Sequence, residues 1–155
     1  MLFRSRVTKF FNWDLKDSNN AIYELPGGEL RYAISDLGAT FGQTGNTLVR
    51  SKNNLEDYQG TEFIQDVKLE SVDFFLSSRP FLPTAINVPY YLTRTNMQGI
   101  VKDIPREHAK WLGQVLGQLS REQIRDGFRA AGYSAEEVDG FAIVVEGRIA
   151  ELNKL

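Results

Sequence analysis

The chain has no cysteine and a single histidine, His108, in 155 residues. The first absence removes disulfides and thiolate chemistry. Together they argue against a zinc site, because zinc is held mostly by those two residue types. A Ser-His-Asp triad would have to run through His108, and its neighbours give no support for one. No stretch approaches 18 consecutive apolar residues, so no spanning helix is expected. An excess of one charge is also missing. Eighteen Lys and Arg face 20 Asp and Glu, a formal net charge of −2. That balance argues against nucleic-acid binding by bulk charge. The stretch Met1–Lys9 is basic but lacks the apolar core of an export signal, which favours the cytoplasm. There is no internal repeat and no low-complexity tract.

What is present reads as one folded domain over residues 1–155. Apolar residues make up 42% and charged residues 25%, which suits a soluble globular chain rather than a disordered one. The chemical toolkit is carboxylates, amides, lysines and backbone.

The patterning predicts an α+β order of elements. Phe3, Val7, Phe10 and Phe11 fall on one face of a helix over 2–13. Residues 20–36 read as a β-hairpin. Ala21–Leu25 and Leu30–Ser35 are its strands, and Pro26-Gly27-Gly28-Glu29 is its turn. Residues 39–60 are rich in Gly, Asn, Thr, Ser and Gln and read as an extended polar loop. Short strands and loops follow over 61–95, so that 43–103 as a whole reads as irregular. Residues 104–154 read as three helices. Pro105 suits the first helical turn. Ala109, Trp111, Leu112, Leu116 and Leu119 are expected in the core. Ser120–Gln123 and Ser134–Glu137 are capping boxes, and Gly132 is placed as a C-terminal stop. Ile124, Phe128 and Ala131, then Val138, Phe141, Val145, Ile149 and Leu152, recur at helical spacing.

The chemistry concentrates between Asn12 and Gly42. Asp14 is followed by Lys16 and Asn19, and after the hairpin comes Asp36-Leu37-Gly38. Phosphoryl transfer needs a carboxylate to orient the acceptor hydroxyl and take its proton. It needs positive charge on the transferred oxygens, and oxygen ligands for divalent ions facing one small volume. An Asp and an Asn on one tight loop meet part of that need. A hairpin can return the chain so that a second Asp reaches the same place. Magnesium favours such hard ligands.

Asn12-Trp13-Asp14-Leu15-Lys16-Asp17-Ser18-Asn19 resembles the catalytic loop of protein kinases, His-Arg-Asp-Leu-Lys-x-x-Asn. Asp36-Leu37-Gly38 resembles their Asp-Phe-Gly motif. The region is also similar to a group of bacterial kinase-like proteins. The resemblance implies a kinase-like C-terminal lobe: helix, catalytic loop, hairpin, long polar loop with short strands, and a three-helix unit. It implies Asp14 as catalytic carboxylate and Lys16 beside the transferred phosphate. Asn19 and Asp36 become ligands of Mg2+ or Mn2+, with Asn20 as the alternative to Asn19. The implied cofactor is ATP, and the partners are a nucleotide and a phosphate acceptor.

Three departures qualify the expectation. Asn12 and Trp13 replace the usual His and Arg, which removes the usual pairing with a phosphorylated loop. No Ala-Pro-Glu follows the polar loop. Only 13 residues precede Asp14, too few for a glycine-rich loop, a strand Lys and its Glu partner. The chain is therefore expected to be the C-terminal part of a kinase-like phosphotransferase, completed by an N-terminal lobe or a partner chain and inactive alone. The competing expectation is an inactive kinase-derived module that docks a partner protein. A third is a helical interaction domain over 104–154.

Other conspicuous residues have simpler readings. Arg121, Arg125 and Arg129 share one helix face and are expected to pair with Glu122, Asp126 or solvent. Phe74-Phe75 and Tyr90-Tyr91 are expected to pack. His108 is expected to have no functional role, and Asn46 and Asn53-Asn54 carry no motif.

Overall fold

A computed structural model describes residues 20–34, 40–42, 51–76 and 99–155. Among these residues the fold is mixed α+β, with four helices and two small antiparallel sheets. The helix expected over 2–13, Asp14, Lys16, Asn19, Asp36 and Tyr90-Tyr91 lie outside the described residues.

The first sheet is the hairpin. Strands β1 (Asn20–Glu24) and β2 (Leu30–Ile34) pair in register from Asn20↔Ile34 to Glu24↔Leu30. The turn follows from Pro26 and Gly27. Pro presets the first central position, and Gly27 takes φ +103° at the second, the pattern of a type II turn. The Gly28 N–H donates to Leu25 C=O at 3.0 Å and the Leu25 N–H to Glu29 C=O at 2.8 Å.

The polar stretch 39–60 is not wholly a loop. Helix α1 (Leu55–Gly60) closes it. The Asn54 side chain accepts from the Asp57 N–H at 3.0 Å, and Glu56 and Asp57 occupy the first turn. An Asn cap before acidic residues is a helix start signal, so Asn54 has a role that its polar surroundings concealed.

The second sheet contains β3 (Ile64–Val67), β4 (Ser71–Phe74) and β5 (Ile104–Pro105), in that order. Pro105 ends β5 and serves as the N-cap of the next helix, rather than sitting inside its first turn. Asp73, buried on β4, holds this sheet to the 101–104 turn. Its carboxylate accepts the Asp103 N–H at 2.8 Å and faces the Lys68 ammonium at 3.0 Å. Asp103 adopts φ +52°.

Helices α2 (Arg106–Leu116), α3 (Arg121–Ala130) and α4 (Ala135–Asn153) form the C-terminal unit. Both capping boxes are present at Ser120/Gln123 and Ser134/Glu137. Helix α3 ends in a Schellman turn at Gly132, φ +86°. The Gly132 N–H donates to Arg129 C=O at 3.0 Å and the Tyr133 N–H to Phe128 C=O at 3.3 Å. The Tyr133 and Phe128 rings meet edge to face at 5.6 Å, the apolar contact that accompanies this motif.

Helix α4 is central because it packs against α1, α2 and α3. Val138, Phe141, Ala142, Val145, Ile149 and Leu152 are its buried stripe. Phe141 and Phe128 stack at 5.2 Å, and Phe41 meets both edge-on. Leu152 belongs to a second cluster with Val72, Phe74, Leu76, Val101 and Ala109, which joins the helices to the sheet.

Helix α1 has six residues and would be marginal alone. Arg148, buried on α4, donates to Tyr58 C=O at 2.7 Å and Thr61 C=O at 3.3 Å. Its guanidinium lies 3.7 Å from the Tyr58 ring centre. A cation thus sits at the C-terminal end of α1, where the helix dipole favours it. Burial pushes the Tyr58 hydroxyl up to about 12, against the lowering effect of Arg148.

Two core expectations are corrected, Trp111 on α2 and Leu119 beyond its end. Trp111 is 55% exposed and Leu119 is 45% exposed. Of its apolar residues and glycine, the helix shields Ala109, Leu112, Gly113 and Leu116 but leaves Trp111 and Val115 exposed, so the apolar face is narrower than its composition suggested. Ala131 likewise is the exposed C-cap of α3 rather than part of its buried face. The arginine stripe of α3 is paired. Arg121 meets Glu146 at 2.7 Å, Arg125 meets Asp139 at 3.0 Å, and Arg129 meets Glu122 at 2.6 Å. Phe74 is buried and Phe75 packs against the helical core.

Candidate functional site

Of the residues proposed from sequence to carry chemistry, Asn20 alone is described, and only in its backbone. It begins β1 and pairs with Ile34. The hairpin therefore closes the chain between the residue after Asn19 and the residue two before Asp36. Among the described residues, no group of three or more His, Cys, Asp or Glu could hold a metal ion. No described helix is long and apolar enough to cross a membrane.

Downstream of Asp36-Leu37-Gly38 the chain is anchored in the helical unit. Thr40 is buried, and the Phe41 ring meets Tyr58 at 5.5 Å, Phe128 at 5.1 Å and Phe141 at 5.7 Å. The Asn53 N–H donates to Thr40 C=O at 3.1 Å, and the Asn54 N–H to Phe41 C=O at 2.8 Å. Residues 40–42 and 51–54 thus form a neck. Phe41 and Asn53 sit at φ +57° and +52° within it, a region that side-chain-bearing residues visit infrequently. The Tyr133 hydroxyl donates to Asn53 Oδ1 at 2.8 Å and ties the neck to the turn after α3.

Beside this neck lies an open cleft of about 860 Å³. Ile124, Phe128 and Val145 form its apolar floor, and Thr40, Phe41 and Asn53 its neck side. Gly127, Ala131 and Gly132 also line it, with little or no side chain. Tyr133 and Glu137, both half-buried, complete the polar lining with Gln123. The Ser134 hydroxyl and backbone N–H bonds hold the Glu137 carboxyl below its ordinary range. Burial, and then the Glu137 charge, raise the Tyr133 hydroxyl above its ordinary value. The Glu137 carboxylate is thus held in its charged form beside a neutral Tyr133 hydroxyl.

Sequence reasoning missed this cleft. Phe41 was assigned no role, and Asn53 carried no motif within the polar loop. The available signal was Asn54-x-x-Asp57, which marks a helix start and hence a fixed end to that loop.

No protein-family model, curated protein or solved structure matches the chain.

Proposed function

We propose that the chain is the C-terminal portion of a kinase-like phosphotransferase that moves phosphate from ATP to an acceptor hydroxyl. The observation that carries this reading is the spacing Asp14…Lys16…Asn19, a hairpin, then Asp36-Leu37-Gly38. Two structural facts support it. The segment between Asn19 and Asp36 contains a regular antiparallel hairpin, paired as far as Asn20↔Ile34. The segment after Gly38 is fixed to a rigid aromatic core through Phe41, as a metal-bearing loop would require.

The donor set is hard: a carboxylate on Asp36 and a carboxamide on Asn19, with Asn20 as the alternative. It suits Mg2+ or Mn2+. The bound ion would offset the negative charge of the phosphates. Asp14 would orient the acceptor hydroxyl and take its proton. Lys16 would lie against the transferred phosphoryl group as a point charge. An N-terminal lobe or partner chain would supply the rest of the nucleotide site.

The test is magnesium-dependent phosphate transfer from ATP by the full-length gene product. Asp14→Ala and Asp36→Ala are each expected to lower the rate at least about a hundredfold, the scale of losing a general base or a charge-stabilising group. Unchanged activity in both variants would overturn the assignment. A product with no Mg·ATP thermal shift and a stable protein partner would instead favour the inactive docking module.

A further inference from the structure

The cleft beside the neck has a chemistry unlike that of the proposed phosphate site. Its volume of about 860 Å³ falls in the range of pockets that bury small organic ligands. Such sites join an apolar lining to a few placed polar groups, and this one does so. Phe41 and Phe128 supply aromatic lining, and Ile124 and Val145 aliphatic lining. Gly127 and Gly132 leave the space open, and a β-carbon on Gly127 would meet nothing within 4 Å.

Charge narrows the ligand class. Among the described residues that line the cleft there is no Lys, Arg or His, and Glu137 is the one charged side chain. A phosphate or carboxylate placed beside Glu137 would meet like-charge repulsion. The Asn53 Oδ1 already accepts from Tyr133, so the Asn53 carboxamide offers N–H donors to a ligand hydroxyl or carbonyl.

We propose that the cleft formed by Phe41, Asn53, Gly127, Phe128, Tyr133 and Glu137 binds a small organic molecule with an aromatic body and a neutral or cationic polar end. This inference does not depend on the phosphotransferase reading, because it uses none of Asp14, Lys16, Asn19 or Asp36.

The test uses three probes of one shape: 2-phenylethanol, 2-phenylethylammonium and phenylacetate. Each is titrated into the 15N-labelled full chain while backbone amides are followed by NMR. Saturable shifts are expected at Gly127, Ala131, Gly132 and Tyr133 with the alcohol and the ammonium. Phenylacetate should bind about tenfold more weakly or worse, since one unscreened like charge at close range has that scale of effect. Gly127→Leu fills the cleft while raising helix propensity. It should keep the wild-type spectrum elsewhere and lose the probe shifts. Glu137→Gln, which can still form the capping box, should remove the discrimination against phenylacetate. No saturable shift with any probe, including the case in which residues 43–50 occupy the cleft, would overturn the proposal. So would shifts that survive Gly127→Leu, or three equal affinities in the wild-type chain.

Discussion

In the helical unit, Phe141 is fully buried and meets the rings of Phe41, Tyr58, Phe128 and Tyr133. In the hairpin, Tyr23 is 57% exposed, and Ile22 and Leu30 are also more than half exposed. Burial and caps hold the first region. A turn and a hydrogen-bonded ladder hold the second, and a two-stranded hairpin of that kind is marginal by itself. The difference separates two duties. The helical unit supplies stability and anchors the chain at Phe41. The hairpin supplies geometry, by bringing Asn20 and Ile34 opposite one another.

Substitutions can break or sharpen that comparison. Phe141→Ala should cost the most, about 3–5 kcal/mol in urea unfolding, because it empties the centre of the aromatic cluster. A loss below about 1 kcal/mol would mean that the cluster is not the stabilising centre. Arg148→Met comes next, at about 2–3 kcal/mol. It leaves the buried Tyr58 and Thr61 carbonyls without their donor and removes the cation at the end of α1.

Asp73 offers a test through pH. Burial raises its carboxyl, but the Asp103 N–H and the Lys68 ammonium outweigh burial and leave it below the ordinary range. The unfolded carboxyl binds its proton more readily than the folded one. Its contribution is therefore present above about pH 4, the unfolded value, and is lost as pH falls through the lower folded value. Asp73→Asn should cost about 1–3 kcal/mol at neutral pH and flatten the acid side of the stability profile. An unaltered profile would show that the sheet does not depend on this carboxylate.

Smaller effects follow. Ser120→Ala and Ser134→Ala should each cost about 1 kcal/mol by thermal melting, the usual worth of an N-cap. Tyr23→Ala on the hairpin should fall within about 0.5 kcal/mol. A hairpin substitution that matched Phe141→Ala would erase the distinction between the two regions.

The sequence made much of the C-terminal unit legible because local rules act there. Both Ser-x-x-Gln/Glu boxes, the Gly132 stop and the α4 stripe are signals within a few residues of one another. The hairpin was legible for the same reason, through Pro26-Gly27. Helix α1 was only half legible: Asn54-x-x-Asp57 marks its start, but six residues carry little periodicity, and the Arg148 bond at its far end comes from 90 residues downstream of Tyr58. Trp111 misled because it stands off the Ala109, Leu112 and Leu116 face, and Leu119 because the helix ends at Leu116. The cleft was illegible because Phe41, Asn53 and Tyr133 meet only through tertiary structure. For the proposed metal site, the motif spacing and the hairpin were readable, while Asp14, Lys16, Asn19 and Asp36 lie beyond the described residues.

The central claim is that the hairpin carries a metal site at its open end. Manganese titration of the 15N-labelled chain tests it, because Mn2+ broadens nearby amides and can replace Mg2+ on oxygen ligands. The strands span about 17 Å at the usual rise per residue, so distance from the ion should be visible along them. The amides of Asn20, Ala21, Ala33 and Ile34 should broaden first and those of Gly27 and Gly28 last, and Asp36→Ala should abolish the gradient. Uniform broadening along the hairpin, or a gradient that persists in Asp36→Ala, would contradict the account.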